Sequence, residues 1–135
     1  MTESNTVYVE GIGRRKTATT RVRLVPASKT EIVINNKPLE EYFKYLVHKK
    51  IVNSVLETKD LGIENYFISV HVKGGGLNAQ AEAIRLAVAR ALVKEKQDRR
   101  TALKAIGYLK RDPRSVERKK FGLKKARKRP AWSKR

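Results

Sequence analysis

Strand-type segments interleaved with helix-type segments, closed by a run of charge that has no apolar period, predict an α+β domain with a long basic arm. Residues 18–24 and 66–73 alternate apolar and polar side chains, as half-buried strands do. Residues 77–92 repeat apolar side chains at helical spacing. From Tyr108 to Arg135, thirteen Lys and Arg stand against Asp112 and Glu117, a net +11 out of the chain's +19, which leaves +8 for the first 107 residues. The chain therefore divides into a globular part, 1–107, and a C-terminal tail, 108–135. With strands first, then helix, strand and helix, the globular part reads as a small sheet with helices packed on one face.

Val7 and Val9 open a first strand over 7–12 that runs into Gly11-Ile12-Gly13, and a second strand covers 18–24. In the second, Ala18, Val22 and Leu24 share one face, while Thr17, Thr19, Arg21 and Arg23 share the other. The product is a half-buried hairpin with a cationic outer face. Ile32-Val33-Ile34 makes a short third strand closed by Asn35-Asn36, after which Pro38 starts a short helix through Phe43. Val47, Ile51, Val52, Val55 and Leu56 fall at helical spacing, with Gly62 as the stop. Tyr66 to Lys73 alternates again, with Ile68, Val70 and Val72 on one face. After Gly74-Gly75-Gly76 comes the clearest helix. Its apolar stripe is Leu77, Ala81, Ile84, Val88, Ala91 and Leu92, and Gln80, Glu82, Arg85 and Lys94 oppose it. Asp98 is suited to cap a last short helix holding Ala102, Leu103 and Ile106, with Gly107 as its C′ residue.

A chain of 135 residues at 40% hydrophobic content supports one modest core and no second domain. The lack of Cys excludes disulfides, Cys-ligated zinc, iron–sulfur clusters and thiol catalysis. No N-terminal apolar run suggests a secretory signal or a span, so a cytosolic site is expected. A sequence pI near 10.5 points to nucleic acid, ahead of an anionic membrane or an acidic protein. A membrane arm would need a continuous amphipathic helix, which the tail lacks.

Two glycine segments bear on chemistry. Gly11-Ile12-Gly13-Arg14-Arg15-Lys16-Thr17 has the ingredients of a phosphate loop without its spacing. It reads either as a tight turn needing positive φ or as a basic hairpin tip, Arg14, Arg15 and Lys16, laid on nucleic-acid phosphates. Gly74-Gly75-Gly76-Leu77-Asn78-Ala79-Gln80 joins a strand to a helix N-terminus, a generic anion site. A small-molecule phosphate, a backbone phosphate or simply a sharp turn would each use it. An enzyme would also need an acid, base or metal set. His48 beside Lys49 and Lys50 reads as solvated, His71 as a satisfied, partly buried imidazole, and no acidic pair has metal-ligand spacing. No catalytic residue, cofactor, metal or small-molecule substrate is expected. In the tail, Asp112-Pro113-Arg114-Ser115 resembles a helix start limited by Gly122 and Pro130. Tyr108, Phe121 and Trp132 interleave with cations and could stack on splayed RNA bases, although Tyr108 reads better as packed on the domain.

Five ordered blocks resemble the family of the ninth small-subunit ribosomal protein in its bacterial branch. They are Gly74-Gly75-Gly76 through Ala79-Gln80, Ala83, Ala87 and Ala89-Arg90-Ala91-Leu92; Gly11-x-Gly13-Arg14-Arg15-Lys16-Thr17-Ala18; Asn36-x-Pro38-Leu39-x-x-Tyr42-Phe43; Arg111-Asp112-x-Arg114-x-Val116 through Lys120-x-Gly122; and Ser133-Lys134-Arg135. The match runs from about Val7 to the last residue. Trp132 stands where the family commonly has Phe.

The resemblance implies a small mixed sheet with helices on one side, a left-handed βαβ crossover shared with some small-molecule kinases, and a long extended tail. It implies a non-enzymatic structural constituent of the small ribosomal subunit, in the cytoplasm. Its partners would be 16S rRNA in the subunit head, neighbouring head proteins and P-site tRNA. The rRNA-binding residues would then be Arg14, Arg15, Lys16, Arg21, Gly74, Gly75, Gly76 and Gln80 in the domain. In the tail they would be Lys110, Arg111, Arg114, Arg118, Lys119, Lys120, Lys124, Lys125, Arg127, Lys128 and Arg129, with Lys134 and Arg135 meeting tRNA. A free-standing nucleic-acid chaperone or nucleoid protein is the alternative by class, and a phosphotransferase comes third.

Overall fold

A computed structural model describes residues 7–58 and 65–131. Five strands form one mixed sheet: β1 (Val9–Arg15), β2 (Ala18–Pro26), β3 (Glu31–Ile34), β4 (Lys37–Pro38) and β5 (Tyr66–Lys73). Their spatial order is β1-β2-β5-β3-β4. Only β3 and β5 run parallel, and the other neighbouring pairs are antiparallel. Between β3 and β5 the chain makes α1 (Leu39–Tyr42) and α2 (Leu46–Asn53), so a βαβ unit lies inside the sheet. After β5 come α3 (Leu77–Glu95), a 3₁₀ turn over Gln97–Arg99 and α4 (Arg100–Ile106).

The alternation read from the sequence is the burial pattern of the sheet. Val22, Leu24, Ile68, Val70 and Val72 face a core that also takes Phe43, Val52, Val55, Ile84, Leu92 and Leu103 from the helices. All helices thus feed one side of the sheet, and the other side carries the exposed residues of each strand.

β1 is an edge strand that lies unusually close to α3. Its inward positions are Gly11, Gly13 and Arg15. A Cβ on Gly13 would overlap the Ala83 carbonyl oxygen, and one on Gly11 would sit 2.9 Å from Ala91 N. These glycines therefore serve close helix approach. The positive-φ turn expected of this segment is made instead by Lys16, at φ 52°. Arg90 reaches from α3 to donate to the Ile12 carbonyl at 2.9 Å. At the opposite edge, β4 is two residues long and includes Pro38.

Asn35 and Asn36, at φ 47° and 67°, form the two-residue turn between β3 and β4. Paired positive φ suits the right-handed twist of a hairpin, and Asn tolerates it. The Asn35 side chain then continues the β3 ladder. Its Nδ2 donates to Val72 O and its Oδ1 accepts from Val72 N, both at 3.0 Å.

Several expectations need correction. Pro38 pairs in β4 and precedes α1 rather than opening the helix. Val47 is exposed, because α2 turns Val52 inward and ends at Asn53, and the stop expected at Gly62 lies outside the described residues. Leu77 is 43% exposed, while α3 buries Ala79, Gln80, Ala83, Leu86, Ala89 and Val93 beyond the expected stripe. An Ala-rich helix seated closely on Gly11 and Gly13 buries more than one narrow stripe. Asp98 sits within the 3₁₀ turn, and α4 has no side-chain cap; Gly107 does end α4, at φ 91°.

Candidate nucleic-acid interface

Strand alternation decides what the basic hairpin tip can offer. Arg14 is exposed, Lys16 projects from the turn, and Arg15 is turned inward to 8% exposure. Its Nε donates to Glu82 Oε2 at 2.6 Å, its Nη1 donates to the Arg114 carbonyl, and its Nη2 lies 3.6 Å from Asp112 Oδ2. Two of the three expected tip cations thus face solvent. Arg15 does not: its guanidinium joins β1, α3 and the root of the tail. Sequence gave no sign of this, because an Arg between two cations reads as a surface charge.

At the strand-to-helix junction, Gly74 and Gly75 take φ of 80° and 69°, and a Cβ on Gly74 would lie 2.7 Å from Thr17 O. The sharp turn accounts for both. Gly76 precedes α3 with open space around it, and the first turn of α3 has no side-chain cap. Gln80 also faces inward. It is 9% exposed; its Nε2 donates to Gly74 O at 3.0 Å and its Oε1 accepts from Tyr42 Oη at 2.7 Å. Burial pushes the Tyr42 hydroxyl pKa up. Gln80 therefore braces the glycine loop from within.

The two histidines exchange their expected settings. His71 is exposed on the open face of β5, since every second residue of that strand is. His48 is half-buried between Phe43 and Tyr45, with ring centroids 5.6 and 5.9 Å away, and its Nδ1 has no hydrogen-bond partner. No cluster of His, Cys, Asp or Glu among the described residues could hold a metal ion.

The tail begins with packing. Tyr108 and Leu109 rest partly buried on the core, and Arg85 lies 5.1 Å from the Tyr108 ring centroid, so Tyr108 packs as expected. From residue 111 to 131 there is no helix or strand. The helix start expected at Asp112 is instead a turn: Asp112 accepts from Arg114 N at 3.0 Å and from the Arg114 guanidinium at 2.8 Å. A carboxylate facing its own backbone two residues on offers the chain an alternative to a helix. Further along, Glu117 gathers Lys120 and Arg127, the latter at 2.9 Å, and Lys124 N donates to Lys128 O at 2.7 Å. Arg114 holds the Asp112 carboxyl well below the usual carboxylate range, and Lys120 and Arg127 lower that of Glu117. Both therefore stay ionised at neutral pH. Lys110, Arg111, Arg118, Lys119, Lys124, Lys125, Lys128 and Arg129 are exposed, and Phe121 is fully so. Trp132, Ser133, Lys134 and Arg135 lie outside the described residues.

The joint at Arg15 yields a prediction. In Arg15→Ala, Glu82 loses its cation and the tail root loses two attachments. Trypsin is expected to cut at Arg111 and Arg114 about tenfold faster than in the parent, with the core still folded. Equal cleavage rates would show that Arg15 does not hold the root.

Fold and surface together define a small α+β protein whose exposed chemistry is cationic, with a basic arm braced at its root. A model of the family described as ribosomal protein S9/S16 matches residues 13–135. The chain is 50% identical over 127 residues to small ribosomal subunit protein uS9 of Nocardia farcinica, covering 94% of this chain and 75% of the relative. Similar relatives of the same name occur in Mycobacterium bovis, at 48% identity, and Mycolicibacterium smegmatis, at 47%; each alignment covers 94% of this chain and 83% of the relative. The chain belongs to the ribosomal protein S9 family, and is accordingly a non-enzymatic structural component of the small ribosomal subunit, acting in translation in the cytoplasmic ribosome. No helix among the described residues is long and apolar enough to cross a membrane.

Proposed function

We propose that the protein binds 16S rRNA in the head of the small subunit through its hairpin tip, glycine junction and arm, and meets P-site tRNA with Lys134 and Arg135. The observation that carries this reading is the row of exposed cations from Lys110 to Arg129, on a segment with no apolar face to bury. Such a segment gains its order from a polyanion. Arg14, Lys16 and Arg21 extend the same charge over the domain. The glycine junction brings backbone N–H groups within reach of a phosphate. Gly74, Gly75 and Gly76 act there through their backbone, and Arg15 and Gln80 act by holding the surface from behind. Neighbouring head proteins complete the setting.

Two structural readings belong with this proposal. The β3–β5 connection is left-handed, as the family resemblance implies, and the arm, 108–135, extends fully once RNA takes the place of its internal ion pairs. Fully extended, 28 residues span at most roughly 90 Å, far beyond a core of this size.

Removing Pro130–Arg135 tests the tRNA contact. Subunit assembly is expected to proceed largely as before, while P-site tRNA leaves the truncated subunits several times faster. Identical dissociation rates would exclude Lys134 and Arg135 from tRNA binding.

A further inference from the structure

The helix-free face of the sheet is accounted for by neither the arm nor the glycine junction. Alternation along β1, β2 and β5 sends Arg14, Arg21, Arg23 and Lys73 to this side, together with the flat side chains of Phe67 and His71. Arg21 pairs across the strands with His71, and Thr19 lies between Arg14 and Lys73. Neighbouring strands stand about 4.8 Å apart, so cations and rings occupy adjoining positions on one surface. Acidic opposition is slight. One acid stands among these cations, Glu10, which lies opposite Arg23 in register and pairs with Arg21 Nε at 3.7 Å; Glu31 lies beyond β5, opposite Phe67.

Arg23 is the most telling residue. Its Nε is buried without a hydrogen-bond partner, while its guanidinium lies 4.5 Å from the Tyr8 ring centroid. The buried Nε faces inward, so an acceptor from outside would meet the terminal nitrogens of a guanidinium already steadied by the Tyr8 ring. The face is also continuous with the rest of the charge. Arg14 leads to Lys16 at the hairpin tip, and Lys16 shares a hollow with Arg111 and Arg114 of the arm root.

We propose that this open face is a second RNA surface, taking a single strand whose phosphates meet Arg14, Arg21, Arg23 and Lys73 and whose unpaired bases lie on Phe67 and His71. It rests on the RNA-binding reading above and adds a site to it. The rings select a single strand, because a duplex turns its bases inward and would leave Phe67 and His71 unused. Arg23, Lys73, Phe67 and His71 thereby join the interface, and the arm and this face grip RNA on two sides of the hairpin tip.

The test uses the full chain and a 16S rRNA transcript. The triple variant R21A/R23A/K73A changes exposed or half-exposed side chains and is expected to keep its melting temperature. It should lose roughly 10- to 100-fold in affinity, and its log–log salt slope should fall by about two, at about 0.7 per phosphate contact on a single strand. Because the chain has no Cys, S69C places one unique thiol on the face. An iron chelate tethered there should cleave the transcript at positions different from those cut from S115C on the arm root. Wild-type affinity and slope in the triple variant, or no cleavage from S69C, would overturn the second surface. If the triple variant binds the transcript normally yet fails to enter subunits, an acidic protein neighbour takes the face and the proposal falls. Should the parent chain itself fail to bind the transcript, the RNA reading falls first and this surface with it.

Discussion

Deleting residues 116–135 should lower affinity for 16S rRNA by about 100-fold or more near 0.1 M salt. The deleted segment carries ten Lys and Arg against Glu117 alone. Lys120 and Arg127 are engaged by Glu117, and setting those two aside leaves eight cations in the deleted segment. If about half of those eight neutralise phosphates, the log–log salt slope falls by roughly three. The cut leaves Asp112 and Arg114 in place on Arg15, so the core should melt as the parent does. Titration of parent and truncated chain at several salt concentrations decides the matter. An unchanged slope would mean that the domain surface makes the main contacts.

Gly13→Ala should destabilise the domain by about 3 kcal/mol, because overpacking against backbone cannot be relieved by a rotamer change. The added Cβ would overlap the Ala83 carbonyl oxygen and stand 2.7 Å from Ala87 N, both of them backbone atoms of α3. Relief requires the whole helix to lift from β1. In a domain of about 100 residues that corresponds to a fall in melting temperature of roughly 10 to 20 °C. Gly76→Ala is the control. Nothing lies within 4 Å of a Cβ there and φ is −85°, so its melting temperature should stay unchanged or rise slightly. Equal melting temperatures for the two variants would refute the close-approach role of Gly13.

The contrast between these two glycines shows what the sequence conveys and what it hides. Period-two alternation exposed β2 and β5 at once, down to the faces of Val22, Leu24, Ile68, Val70 and Val72. Charge composition marked off the segment after Tyr108, and from 111 to 131 it forms no helix or strand. Gly11 and Gly13 were opaque, because a missing side chain leaves no periodic mark and their reason lies in a helix 70 residues away. The inward placement of Arg15 and Gln80 was hidden for a related reason: polar residues carry no sign that a distant partner, Glu82 for one and Tyr42 for the other, has drawn them inside. β4 was too short for any pattern, and its existence follows from the turn at Asn35-Asn36. Within the arm, the local fold around Glu117 depends on contacts up to ten residues apart in a stretch whose cations all look alike.

Both borders of the sheet carry features that discourage further strands. On one side the Ile12 carbonyl is already taken by Arg90, and on the other the two-residue β4 contains Pro38, which has no N–H to offer. Unprotected strand edges invite pairing between copies, and aggregation follows. A chain with a net charge of +19 is also drawn to any polyanion it meets between synthesis and assembly, and polyanions gather many copies in one place. Blunted edges disfavour strand pairing between such crowded copies.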